Sequence, residues 1–130
     1  MRSKIFIVFL VLMAASSAFS QTLDCSKFHE GLYRIDDPNA GGTTMIERTA
    51  RYQIESNEAG KMTIRLLLTW LDDCTYELKF DKILRNDNNL DMPRVTMKVR
   101  ILEIGKDSYI QETSSDSFQG VYRYEVKKVR

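Results

Sequence analysis

The sequence predicts an all-β domain: an antiparallel meander of about seven strands, curled into a barrel or half-barrel, with a two-sheet sandwich as the alternative. Three observations carry this reading. Apolar and polar residues alternate at period two along most of the chain, the signature of half-buried strands. Short polar turns separate the alternating runs. No segment beyond residue 20 shows the apolar stripe of an amphipathic helix. A meander of this kind hides its exposed edges best by curling on itself.

The first strand spans Phe28 to Ile35, around Gly31-Leu32-Tyr33. Thr44 to Glu55 reads as one strand, with Ile46, Arg48, Ala50, Tyr52 and Ile54 on its even, inward face. Ser56-Asn57-Glu58-Ala59-Gly60 is a turn into the clearest element, a hairpin. Met62, Ile64, Leu66, Leu68 and Trp70 form its first apolar face, and Cys74, Tyr76, Leu78 and Phe80 form the second. With Leu71-Asp72-Asp73 as a three-residue loop, Trp70 falls opposite Cys74, Leu68 opposite Tyr76, Leu66 opposite Leu78 and Ile64 opposite Phe80. A slip of one residue would expose the whole set. Asn86 to Pro93 is a polar loop, and Arg94 to Glu103 turns Val95, Met97, Val99 and Ile101 inward. Gly105-Lys106-Asp107 turns into a strand over Ser108 to Thr113. Phe118 to Val129 closes the chain, with Phe118, Tyr122, Tyr124 and Val126 on one face. The up-and-down arrangement that results is lipocalin-like, and large inward residues on nearly every strand fit a well-filled interior.

Residues 1–20 read as a signal peptide: Arg2 and Lys4 precede the apolar run Ile5 to Ala15, and Ala18-Phe19-Ser20 offers small residues for cleavage before Gln21. That run is shorter than the roughly 20 residues of a membrane span. Residues 21–130 then form a single β domain of 110 residues, the 130 of the chain less 20. No stable membrane span is expected after cleavage, and the protein is expected to be secreted, in the periplasm or outside the cell. The whole chain carries 19 basic and 18 acidic residues; without Arg2 and Lys4 the balance is 17 against 18, a net charge of −1. Such a balance gives no electrostatic drive toward nucleic acid. Two cysteines behind an export signal imply a disulfide, Cys25 to Cys74.

Motifs for chemistry are sparse. His29 is the only histidine, and no serine in a tight strained turn accompanies it. Asp87-Asn88-Asn89-Leu90-Asp91 resembles the start of a calcium loop, yet Met92 stands where the loop needs glycine and Lys98 where it needs a bidentate acid. Asp36-Asp37 and Asp72-Asp73 are turn-type pairs, because neighbours on a strand point to opposite faces. One histidine and two oxidised cysteines make no zinc site. No catalytic residue, metal ligand or cofactor is therefore assigned. Arg48 is the unusual residue, since an inward arginine has to be paired or solvated. It is the candidate anchor for an acidic ligand, in a cavity that Tyr52, Trp70, Tyr76, Tyr122 and Tyr124 would line.

Three stretches carry a resemblance: Cys25-Ser26-Lys27-Phe28 with Gly31-Leu32-Tyr33, then Ile46-Glu47-Arg48 with Gln53-Ile54-Glu55, then Trp70-Leu71-Asp72-Asp73-Cys74-Thr75-Tyr76-Glu77-Leu78. They resemble a family of small exported bacterial proteins of unknown function with a C-x-x-F…W-L-x-x-C-x-Y-x-L pattern. Some of its members bear a DNA topoisomerase IV label, which the size, destination and charge of this chain contradict. The resemblance supplies no catalytic residues. The function expected is that of an exported, non-enzymatic β-domain binding a small molecule or a protein partner. The alternatives are a small hydrolase in which His29 meets Glu30, Asp36 or Asp37 in one cleft, and a passive envelope subunit.

Overall fold

The structure, a computed structural model, describes residues 23–37 and 41–130. The leader expected over residues 1–20 lies outside them. Eight strands follow one another around a closed antiparallel barrel, each paired with its neighbours in sequence. They are β1 (Gly31–Asp37), β2 (Gly42–Arg48), β3 (Tyr52–Asn57), β4 (Met62–Asp72), β5 (Thr75–Asn86), β6 (Thr96–Ile104), β7 (Ser108–Ser115) and β8 (Phe118–Lys128). A single 3-10 turn, Ser26–Phe28, precedes them. The expected lipocalin-like meander is thus present, closed, and with one more strand than the sequence predicts. Among the described residues no helix is long and apolar enough to cross a membrane.

The extra strand comes from the segment read as Thr44 to Glu55. It breaks at Ala50-Arg51, where Thr49 N–H donates to the Tyr52 carbonyl at 2.9 Å and Arg48 pairs with Gln53. A two-residue turn reverses the parity of the inward face. Ile46 and Arg48 point in on β2, but Gln53 is the buried residue on β3, while Ala50 and Tyr52 are exposed. Tyr52 lies on the outer wall, with the Arg65 guanidinium 4.7 Å from its ring centre. The turn has no glycine, proline, asparagine or aspartate; its one local aid is Thr49, whose Oγ1 accepts the Tyr52 N–H at 3.2 Å, a weaker turn signal.

The β4–β5 hairpin keeps the expected faces in a different register. Trp70 pairs with Tyr76, Leu68 with Leu78 and Leu66 with Phe80, and the turn is Asp73-Cys74 between paired Asp72 and Thr75. The Cys74 N–H donates to Asp72 Oδ1 at 2.9 Å, which tightens the turn and holds the Asp72 carboxyl below its ordinary range. The offset from the expected pairing is two residues, so no side chain changes face. Bulges between Thr63 and Ile64 and between Arg65 and Leu66 then bend the hairpin, and Ile64 meets Ile83 instead of Phe80.

Alternation around the wall puts Tyr33, Ile46, Leu66, Leu68, Tyr76, Leu78, Val99, Ile101, Tyr109 and Val126 in one buried cluster. The barrel's two ends differ. At one end the 3-10 turn folds across the opening, and Phe28, fully buried, meets the Tyr109 ring edge-on at 4.9 Å. Gly31, where the plug leads into β1, lets Arg130 approach closely: its φ is +128°, and a Cβ there would stand 2.6 Å from the Arg130 carbonyl oxygen. Among the described residues the other end is open. β1 and β8 are joined toward the plug, where Leu32 bonds with Val129 and Arg130, Tyr33 pairs with Lys128 and Arg34 with Lys127, and toward the open end the described strands pair no further.

Candidate functional site

Arg48 ends β2 at the plugged end and points into the barrel, 2 % exposed. Its Nε donates to Gln53 Oε1 at 3.0 Å, Nη1 to the Phe28 carbonyl at 2.7 Å, and Nη2 to the hydroxyls of Tyr76 and Tyr109 at 3.1 and 2.9 Å. Its Cζ lies 4.6 Å from the Tyr33 ring centre and 4.8 Å from that of Tyr76. No carboxylate pairs with it among the described residues. Burial works against its charge, but the surrounding tyrosine hydroxyls outweigh that, and its pKa is raised above the ordinary arginine value. Burial likewise pushes Tyr76 well above the usual tyrosine range and Tyr33 up to about 12. The expected anchor for an acidic ligand is thus committed to the protein's own oxygens, and it ties four strands to the plug.

The residues expected to line a cavity with Arg48 separate. Tyr76 belongs to the arginine's own network, where its hydroxyl donates to Gln111 Oε1 at 3.1 Å. Trp70 is partly buried at the plugged end, stacked on His29 with ring centres 3.7 Å apart, and its Nε1 is buried with no hydrogen-bond partner among the described residues. Tyr52 stands outside. Tyr122 is half exposed beside Phe118, beyond the last described pairing of β8 with β1. Only Tyr124 lines an internal space.

The cysteines form the expected disulfide, with Cα atoms 5.3 Å apart. It fastens the plug to the β4–β5 turn. Asp73 reinforces the bond by accepting the Cys25 N–H on Oδ2 at 2.9 Å, and its carbonyl accepts His29 Nε2–H at 2.8 Å. A carbonyl only accepts, so this nitrogen carries the proton. Cys25, Asp73 and Cys74 place their sulfur and carboxylate atoms within 4.8 Å of one another, but the sulfurs are bonded to each other and offer no thiolate. His29 faces Asp73 at the plugged end, while Asp36 lies near the open end of β1, with Thr43, Arg34 and Lys127 as partners. His29 and the Asp36-Asp37 pair thus lie toward opposite ends of the barrel and share no cleft, while Glu30, which follows His29 in the chain, is exposed.

The open end holds two adjoining chambers, of about 230 and 390 Å³, that share Glu55 and Met97. The larger is walled by Ile64, Leu66, Phe80, Met92, Val95 and Phe118. The smaller is bounded by Ile35, Ile46, Leu78, Val99 and Tyr124, and reaches a polar floor of Gln53, Glu55, Gln111 and Thr113. A slit between β1 and β8 shares Ile35, Asp37 and Tyr124 with the smaller chamber.

Two relays orient the floor from the plug. Arg48 Nε can only donate, so Gln53 must present Oε1 to it; Gln53 Nε2 then donates to Glu55 Oε1 at 2.8 Å. Tyr76 fixes Gln111 in the same way, and Gln111 Nε2 donates to Thr113 Oγ1 at 3.2 Å. Glu55 was missed by sequence reasoning because the unbroken reading of Thr44 to Glu55 turned odd positions outward. The one available signal was Arg48 itself, a charge on an inward face with no partner on the same strand.

Burial raises the Glu55 carboxyl above the ordinary glutamate value, while the Gln53 hydrogen bond and the Arg48 charge pull the other way. A carboxyl whose folded-state pKa exceeds its unfolded one binds more protons when folded. Stability then falls as pH rises from the unfolded value through the folded one. Glu55→Gln is therefore expected to raise Tm at about pH 7, and to lose that advantage below about pH 4, where glutamate is protonated in both states. A lower Tm for the variant at neutral pH would show the Glu55 charge to be stabilising.

The fold and site together define a closed eight-stranded meander barrel, plugged at one end and hollow at the other. No family model, curated protein or solved structure matches the chain.

Proposed function

We propose that the protein binds a small, largely apolar molecule in the open end of its barrel. The observation that supports this most is the pair of chambers meeting at Glu55 and Met97. Together they are of the size and character of small-molecule sites: concave, walled by aliphatic and aromatic groups, with a few convergent polar atoms. The plug favours the same reading, since it closes the far end and, through Gln53 and Gln111, holds the polar floor of the smaller chamber in place. Destination outside the cytoplasm, as the leader suggests, fits a binding protein whose disulfide would persist there.

N-phenyl-1-naphthylamine, a neutral dye that brightens in apolar surroundings, tests this directly. Titration into the protein is expected to give saturable fluorescence. Met97→Trp, which fills the wall common to both chambers, should weaken binding about tenfold or more, a loss of about 1.4 kcal/mol. Val95→Trp, in the larger chamber, provides a second obstruction should the first fail to fold. Equal dye affinity in the wild type and in folded variants of both kinds would place the dye elsewhere and defeat the proposal. Leu71→Ser, on the exposed surface at the plugged end, controls for dye on outer apolar groups.

A further inference from the structure

We infer that the ligand carries a protonated amine on an apolar body, and that Glu55 receives the amine. This rests on the open-end reading above and names the chemistry of its ligand. Glu55 and Asp37 are the charged residues lining the two chambers; no lysine or arginine lines either one. Arg48, behind the floor, faces away from them, with its donors on Phe28, Gln53, Tyr76 and Tyr109. Arg123 and Lys127 line the slit outside the smaller chamber, paired with Glu112 and Asp36, and Arg94 lies over the Phe80 ring. A carboxylate ligand would enter a space whose lining charges are both negative. An amine meets the opposite situation.

Glu55 is built to receive one. It stands where the chambers join, so a head bound there leaves either apolar wall free for the body. Among the described residues its carboxylate accepts one hydrogen bond, from Gln53, and has no salt-bridge partner. An ionised carboxylate has about four acceptor sites, so capacity is left over. Its orientation is set before any ligand arrives, because Arg48 pins Gln53 and Gln53 pins Glu55. Partial burial makes the uncompensated charge costly, and a cationic donor relieves that cost. On the same floor Thr113 Oγ1 accepts from Gln111, which leaves its own O–H to donate to a neutral polar group on the ligand. Asp37 adds negative potential from the rim of the smaller chamber; it is not required as the receiving group.

The test is displacement of bound N-phenyl-1-naphthylamine from the full chain by octylamine, octanol and octanoate, which share a body and differ in head. In the wild type near neutral pH, octylamine should displace the dye at a concentration at least about tenfold below octanol, with octanoate weakest, as expected for a charged hydrogen bond in a partly buried site. In Glu55→Gln the amine and the alcohol should agree within about threefold. Octanoate equal to or better than octylamine overturns the inference. So does an amine preference that survives in Glu55→Gln, which would move the receiving role to another group. The two readings fail differently. If the dye binds and octanol competes but the amine gains nothing, the head-group assignment falls and the apolar site stands. If the dye does not bind the wild type, both fall.

Discussion

Replacing Arg48 by alanine is expected to cost about 4 kcal/mol or more, a large part of the stability of a domain this size. Four hydrogen bonds at 2.7 to 3.1 Å disappear. The Phe28 carbonyl and Gln53 Oε1 lose their donors in a buried place, and each such loss costs about 1–3 kcal/mol. The side-chain stem leaves a void under the plug as well. An opposing effect exists. Among the described residues Arg48 is a buried charge without a carboxylate partner, and removing a desolvated charge can be neutral or favourable when the space is refilled. Arg48→Met separates the two, since it keeps most of the volume and removes the charge. The orphaned acceptors remain in that variant, so it should fall between, about 2 kcal/mol below the wild type. Urea midpoints of the three proteins, with m-values checked for constancy, measure this. A methionine variant as stable as the wild type would mean that Arg48 orients the plug without stabilising it.

Loss of the disulfide is expected to have a similar effect. Cys25 and Cys74 are 49 residues apart, and closing a loop of about 50 residues restricts the unfolded chain by about 4 kcal/mol in the chain-entropy model. Cys25→Ala with Cys74→Ala should shift the unfolding midpoint accordingly. The plug should loosen first, because the bond joins the 3-10 turn to the β4–β5 hairpin. Trp70 reports on that place: its ring is stacked on His29 and 4.7 Å from Tyr76, so its emission should change before global unfolding. Thiol labelling of unfolded, unreduced protein should find no free cysteine. Two labelled thiols, or identical midpoints for oxidised and reduced protein, would contradict this account.

The two effects meet at one place, the turn that follows Trp70. In the fold, Asp72 accepts the Cys74 N–H, Asp73 accepts the Cys25 N–H, and the cysteine is cross-linked. Each polar group is used in holding a turn to a plug. Functional interest moves to the opposite end, to a glutamate on a strand the sequence did not separate from its neighbour.

How much was legible differs residue by residue. Met62 to Trp70 alternates with Leu67 as its one apolar outward exception, and Met62, Ile64, Leu66 and Leu68 are buried as that alternation predicts. The pairing of Leu66 with Phe80 was not legible, because a two-residue change of turn preserves every face and leaves no trace in the pattern. Tyr122 shares its parity with Tyr124 and Val126, yet only the latter two are covered, since cover depends on where β1 ends. Arg48 was recognised as an inward charge, but its partners come from the 3-10 turn, β3, β5 and β7, separated from it by 5 to 61 residues.

The sequence by itself determined the all-β class, the alternation of faces within each strong strand, and the Cys25–Cys74 pair. These follow from period-two geometry and from having two cysteines to join. Tertiary structure alone decided that the barrel closes, that one end is plugged and the other hollow, and that Glu55 faces the hollow. The reason is physical: alternation is a property of one strand, whereas closure, register and the floor of a cavity depend on which strands become neighbours. The turn at Ala50-Arg51 is held locally, with Thr49 Oγ1 accepting the Tyr52 N–H at 3.2 Å, but Arg48 beside it is satisfied only when the Phe28 carbonyl and the hydroxyls of Tyr76 and Tyr109 reach it. Those contacts exist only after the walls have assembled.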